Sequence, residues 1–270
     1  MKNFFVVLIV TTVIGFIIGM LFFNFPQLSF AQTQSNSSLE TTLDKQKLGS
    51  VWLNPMKYVI RGSIGGGVSA KTVALLLLLT VVTAFIAGVR HIIGVESFGI
   101  FLPAALSVVF FVIGPIFGIG LFVLIIGLAS LVRFSLRKFK VHLQYLPRMA
   151  FILWGVVVCV LIVLFLAPIF GGINFSNISV LPLFILILLA EDFIRVQLGK
   201  SVQTAIKLTT ETLIIAFVCF LILSFIPLQQ FALLNPEILL IAVALFDFVL
   251  GKYIGLRFLE FWRFRKLIKS

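Results

Sequence analysis

The sequence predicts an all-α polytopic membrane protein: a seven-transmembrane helical bundle preceded by a signal peptide or anchor helix. Three observations predict it. Hydrophobic residues make up 61% of the chain and charged residues only 11%, well below the quarter typical of soluble globular chains. The apolar residues fall in long runs nearly free of interior charge, whereas a β-barrel would show short alternating segments. Lys and Arg, the source of the net charge of +12, gather in alternate connecting segments, as they do in loops that stay cytoplasmic. That pattern accounts for the basic balance without nucleic acid as a partner.

The first segment, 1–31, sets Met1-Lys2-Asn3 ahead of an apolar stretch and ends with Pro26 and Ser29-Phe30-Ala31. Small residues at 29 and 31, followed by Gln32-Thr33-Gln34-Ser35, read as a signal-peptidase site after Ala31. The length of the apolar stretch keeps an uncleaved anchor as the rival. Either reading puts the next segment outside the cytoplasm. Residues 32–71 are polar and too few to bury a core, so a flexible or weakly ordered exterior arm is expected. Within it, Gly65-Gly66-Gly67-Val68-Ser69-Ala70-Lys71-Thr72 has the glycine content of a phosphate-binding loop. Ala70 stands where such a loop requires glycine and no strand precedes it, so a hinge with a snorkelling Lys71 is the better reading.

Seven apolar segments fill 72–251, at about 72–89, 97–114, 115–132, 149–170, 179–190, 209–228 and 236–251. Gly114-Pro115 joins the second and third, as a tight hairpin or a re-entrant pair. The fifth is short, and its helix is expected to continue through Glu191 and Asp192. Counting charge tests the layout. Arg90, then Arg133, Arg137, Lys138, Lys140 and Arg148, then Arg195, Lys200 and Lys207, fall in the segments assigned inside, together with the basic residues of the tail 252–270. The outer segments 171–178 and 229–235 contain no Lys or Arg. The expected topology is a multi-pass plasma-membrane protein, with the mature N-terminus outside and the C-terminus cytoplasmic.

Chemistry is sparser. Glu96, Glu191, Asp192, Glu211 and Glu260 lie at cytoplasmic ends of spans, and Asp247 lies within the last one. A charge in hydrocarbon costs at least ~3 kcal/mol, so Asp247 is expected to face the bundle interior with a partner such as Arg90, Arg133 or Arg257. Helix-end ion pairs, Lys207 with Glu211 among them, would serve the same residues as plain anchors. His91 and His142 lack metal-ligand spacing, and Cys159 and Cys219 sit in apolar runs as small buried hydrophobes. No catalytic residues, metal site or cofactor are expected. Ala84 with Gly88, and Gly114 with Gly118, have the spacing that lets helices approach closely. The tail mixes Tyr253, Phe258, Phe261 and Trp262 with Arg257, Arg263 and Arg265, a boundary composition. Its wheel is too untidy for a helix lying on the surface, so the last span is expected to continue out of the bilayer as a helix.

Three stretches resemble the bacterial seven-transmembrane domain usually fused to an inactive transglutaminase-like domain. They are Gly94-Val95-Glu96-Ser97-Phe98-Gly99-Ile100-Phe101-Leu102-Pro103, then Pro147-Arg148-Met149-Ala150, then Gly251-x-Tyr253-x-Gly255-x-Arg257-Phe258-x-Glu260-x-x-Arg263-Phe264-Arg265. Glu191 is a weaker fourth point, with Asp192 where the family commonly has Arg. Two departures stand out: the arm cannot be the family's exterior domain, and Val109-Phe110-Phe111-Val112 lacks the family's Arg-Glu pair. The resemblance implies a loose link to ATP-grasp amide ligases, hence to peptide or amino-acid modification. It also implies that a separate exterior domain protein is a partner to look for.

These readings combine into a non-enzymatic membrane scaffold or anchor, presenting a basic and aromatic cytoplasmic face to a soluble partner, with an amide-ligase system as the candidate. Glu96, Arg148, Glu191, Asp247, Tyr253, Arg257, Glu260, Arg263 and Arg265 are the candidate inner-face residues. The alternative is a small-metabolite transporter using Asp247 and Glu191.

Overall fold

The computed structural model describes residues 54–139, 144–166, 180–199 and 202–253, and every regular element among them is helical. In order they are α1 (Pro55–Gly65), α2 (Ala70–Gly88), which runs on into a π-helical turn (Val89–Ile93), α3 (Phe101–Ile113), α4 (Pro115–Lys138) and α5 (Tyr145–Leu166). Then come α6 (Val180–Gly199), α7 (Val202–Ser224), α8 (Ile226–Leu234) and α9 (Pro236–Lys252). Apolar side chains offer the backbone no hydrogen-bond partners, so it must satisfy itself, and the helix is the local way to do so. Breaks come where the sequence supplies them. Gly94 and Gly114 adopt φ of 88° and 95°, the left-handed region that favours glycine. Prolines open α1, α4, α8 and α9 at their first turns, where a missing N–H costs nothing.

Each of the seven apolar segments coincides with a helix. Four stretches, Ala70–Ile93, Pro115–Lys138, Tyr145–Ile162 and Gln203–Ser224, are long and apolar enough to cross a membrane. The pair α8 and α9, bent by 103°, would make a fifth if it forms one broken span. The other two segments correspond to α3 and α6. At 13 residues α3 is about 20 Å long against a hydrocarbon core of about 30 Å, and α6 carries Glu191, Asp192 and Arg195 in its second half.

The chain divides into two compact units. One comprises 112–210 and packs α4, α5 and α6 against one another, with Phe122, Ile125, Ile152, Val156, Leu186 and Ala190 buried. Its tightest approach is at Gly155, where an added Cβ would lie 2.8 and 2.9 Å from the two methyls of Val132. The other comprises, among the described residues, 54–111 and 211–253. It is built on α2, which packs against α8 and α9. Its core joins Ala74, Leu78 and Val82 of α2 to Cys219 and Leu223 of α7, Ala232 and Leu233 of α8, and Leu239 of α9. Cys159 and Cys219 are both free thiols, and Cys219 is fully buried.

Three expectations are corrected. The exterior arm is not uniformly weakly ordered: α1 lies inside it, because Pro55 opens a helix whose Ile60 and Ile64, one turn apart, reach the core around α2. The segment 229–235 is not a loop, since α8 covers most of it and buries Gln229, Ala232 and Leu233 on one face. The last span does not carry its helix through Tyr253. The helix stops at Lys252, and Tyr253 turns extended, its N–H donating to the Leu250 carbonyl. The signal segment, 32–53 and the tail from 254 onward lie outside the described residues.

Candidate functional site

In the unit of α4, α5 and α6, the chemistry gathers where α4 ends and α5 begins. Arg133 and Arg137 are one turn apart on the last turns of α4, and Arg148 is in the first turn of α5. Arg133 and Arg148 are half-buried and Arg137 is exposed. The Arg133 guanidinium is close enough to those of Arg148 and Arg137 to be repelled by both. On α6, Arg195 Nη2 lies 2.8 Å from Glu191 Oε1, and Nη1 lies 3.6 Å from Asp192 Oδ1. The Glu191 hydrogen bond, and then the Asp192 charge, push the Arg195 pKa above its ordinary value. All three side chains are well exposed, so the net worth of these pairs is about 0–1 kcal/mol, and their chief effect is to orient the side chains. The Tyr145 side chain at the start of α5 comes near Arg195, in the charged part of α6, and the two helices pack against each other. Arg148 and Glu191 are thus brought to one end of this unit.

In the other unit the polar contacts surround the end of α2. The loop after the π-helical turn is held to α7 by two backbone donors. The Glu96 N–H donates to Glu211 Oε2 at 2.8 Å, and the Phe98 N–H donates to Thr212 Oγ1 at 3.2 Å. His91 Nε2 is 2.9 Å from the Tyr253 carbonyl oxygen, and the two rings meet edge-on at 5.9 Å. Glu96 and Tyr253 therefore both attach to the stretch that follows α2. Asp247 is exposed on α9, where 244–249 is exposed throughout. Within its own unit it does not face the interior, contrary to the expectation from membrane energetics. Asp247 lies one turn before the buried Leu250 and on the same face, so its exposure follows from its place along α9, in the uncovered stretch 244–249, and not from helix register. Lys252 Nζ sits 4.5 Å from the Phe248 ring centroid. Arg257, Glu260, Arg263 and Arg265 lie outside the described residues.

At the far ends of α1 and α9, Glu237 Oε1 accepts the Lys57 N–H at 3.2 Å. Glu237 thus caps α1, which has no side-chain cap of its own, from within the first turn of α9. At the corner between α7 and α8, Gln229 Nε2 donates to the Leu223 carbonyl at 2.6 Å, while its buried Oε1 has no partner. Sequence reasoning missed Gln229, Glu237, His91 and Glu211 in these roles. The pair Gln229-Gln230 in an apolar stretch was the one usable signal. The other contacts join residues more than a hundred positions apart and leave no local mark. Among the described residues no group of three or more His, Cys, Asp or Glu is placed to hold a metal ion.

Residues 67–268 match the model of a family described as 7 transmembrane helices usually fused to an inactive transglutaminase. No curated protein and no solved structure matches the chain.

Proposed function

Because the chain belongs to the family of seven transmembrane helices usually fused to an inactive transglutaminase, we propose that it is an integral membrane scaffold or anchor. In this reading it carries no catalytic centre and presents a charged cytoplasmic face to a soluble partner. The observation that carries it is the exposed grouping of charge at the α4–α5 junction and on α6. There Glu191, Asp192 and Arg195 hold one another in a fixed arrangement on the surface while Arg137 stays open. Fixed, exposed charges of both signs give a partner register and an electrostatically steered encounter. Glu96 and Tyr253 of the other unit, and the tail residues Arg257, Glu260, Arg263 and Arg265, are proposed for the cytoplasmic side on the charge pattern of the sequence alone. By family likeness the partner class is an amide-ligase system, with a separate exterior domain protein as a second partner.

Photo-crosslinkers placed at Gln144 and Asp192 test the reading in cells. The expected result is one soluble protein captured from both positions and lost in Glu191→Lys. Recovery of lipid and self-contacts alone would overturn it.

One observation favours the transporter reading. Discontinuous helices mark many transporter sites, and α8 and α9 are bent by 103° beside the unpartnered Gln229 Oε1. In this reading the polar group of interest is Gln229; Asp247 is exposed and Glu191 is engaged by Arg195. Uptake of a small metabolite into proteoliposomes that disappears in Gln229→Leu and persists in Asp247→Asn would favour it over the scaffold.

A further inference from the structure

The arginines at the α4–α5 junction are not explained by topology or by helix electrostatics alone. Positive-inside bias needs only basic residues near the span ends, and exposed lysines would serve it equally. The dipole of α4 accounts for Arg137 and Lys138, which lie in its last turn beside the negative helix end. It does not account for Arg133, one turn deeper and half-buried. Like charges at i,i+4 destabilise a helix, and here Arg148 of α5 adds a third guanidinium within repulsive reach of Arg133. α4 and α5 approach closely at Val132 and Gly155, one residue from Arg133.

Among the described residues no acid relieves this. The two carboxylates of the unit's charged end, Glu191 and Asp192, are engaged by Arg195. Among the described residues none of Arg133, Arg137 and Arg148 makes an ion pair. Arg148 also belongs to the first turn of α5, where unsatisfied N–H groups add positive potential.

We propose that Arg133, Arg137 and Arg148 form a binding site for a phosphate-bearing anion, held between the end of α4 and the start of α5. Guanidinium forks take phosphate oxygens in pairs, and three of them converge on a single tetrahedral group from two helices. Such a group comes from a lipid headgroup, for which basic pockets between transmembrane helices are a known solution, or from a free phosphate. Binding removes the repulsion among the three side chains and fixes the α4–α5 junction. The site shares Arg137 and Arg148 with the proposed partner face, but it needs no soluble partner to bind its anion.

The test uses the full chain in two arms. Native mass spectrometry in neutral detergent compares retention of phosphatidylglycerol with phosphatidylcholine, and calorimetry in phosphatidylcholine nanodiscs titrates inorganic phosphate. The expected result is a preference for phosphatidylglycerol, saturable phosphate binding, or both, the responding arm naming the source. Each of Arg133→Gln, Arg137→Gln and Arg148→Gln weakens the responding arm about fivefold, the effect of one basic residue near an anionic surface. Lys207→Gln, which removes an exposed charge elsewhere in the unit, leaves it unchanged. Arg137→Gln alters an exposed last-turn side chain and retains the fold, so it decides the matter if Arg133→Gln fails to fold. Absence of saturable binding in both arms, or binding equal in wild type, Arg137→Gln and the folded remainder of the three, would overturn the site.

Discussion

Gln229 holds the end of α7 by donating to the Leu223 carbonyl, while its own carbonyl oxygen is buried without a partner. The two halves of that amide act in opposite directions on stability. Gln229→Leu removes the donor and the orphaned oxygen together, so thermal unfolding in detergent should move by no more than about 1 kcal/mol. Gln229→Glu sets a carboxyl group against the Leu223 carbonyl in a buried position and should cost about 2 kcal/mol or more by the same measurement. Glu237 is a simpler case. Replacing it with Ala leaves the start of α1 uncapped and should cost about 0.5–2 kcal/mol, with faster hydrogen exchange confined to 55–65. Residue identity was legible in these positions and residue role was not. Gln229 was read only as the start of an outer segment, because its bond to Leu223 depends on a helix break that apolar composition conceals. The charge of Asp247 led to the expectation of an inward side chain. Within its unit α9 leaves 244–249 uncovered, although Asp247 shares a face with the buried Leu239 and Leu250.

Among the elements, α5 is held to α4 by an approach that leaves no space for a side chain at Gly155. Val132 has one stiff rotamer in a helix and cannot swing aside. Gly155→Ala should therefore destabilise by about 1–3 kcal/mol despite the gain in helix propensity, as read from thermal unfolding. Gly88→Ala is the milder comparison: the new Cβ would meet the far edge of the Phe246 ring at 3.2 Å. The spacing of Ala84 and Gly88 announced such an approach in the sequence. Gly155 carried a weaker announcement, having Phe151 and Cys159 rather than Gly, Ala or Ser four positions away. The short helices were the hardest elements to see. α1 begins within the polar arm at Asn54-Pro55, and α8 begins with Ile226-Pro227, so both look like turns until the burial of Ile60 and Ala232 fixes them as helices. Ile60→Ala should cost about 2 kcal/mol, near the low end for a buried isoleucine because the site lies at the edge of the core.

For the whole molecule, hydropathy located every long helix, since a backbone in hydrocarbon has no alternative to internal hydrogen bonds. It did not reveal where helices bend, because bends depend on pairs such as Asn235-Pro236 that also occur in ordinary loops. Membrane orientation belongs to this scale as well. Topology reporters fused after Lys138 or Gly199 are expected to report the cytoplasm, and one fused after Gln230 the exterior. The opposite pattern would reverse the proposed inner face.

The contact between His91 and Tyr253 has a mechanical consequence. The Tyr253 carbonyl is tied to the π-helical end of α2, the helix at the centre of its unit. Tension applied to the chain beyond Tyr253 would reach that centre through one hydrogen bond and one ring contact, rather than by peeling α9 turn by turn. In single-molecule pulling from the C-terminus, the first rupture should release α2 and α9 together. In His91→Ala the same pull should instead unzip α9 from Lys252 at lower force.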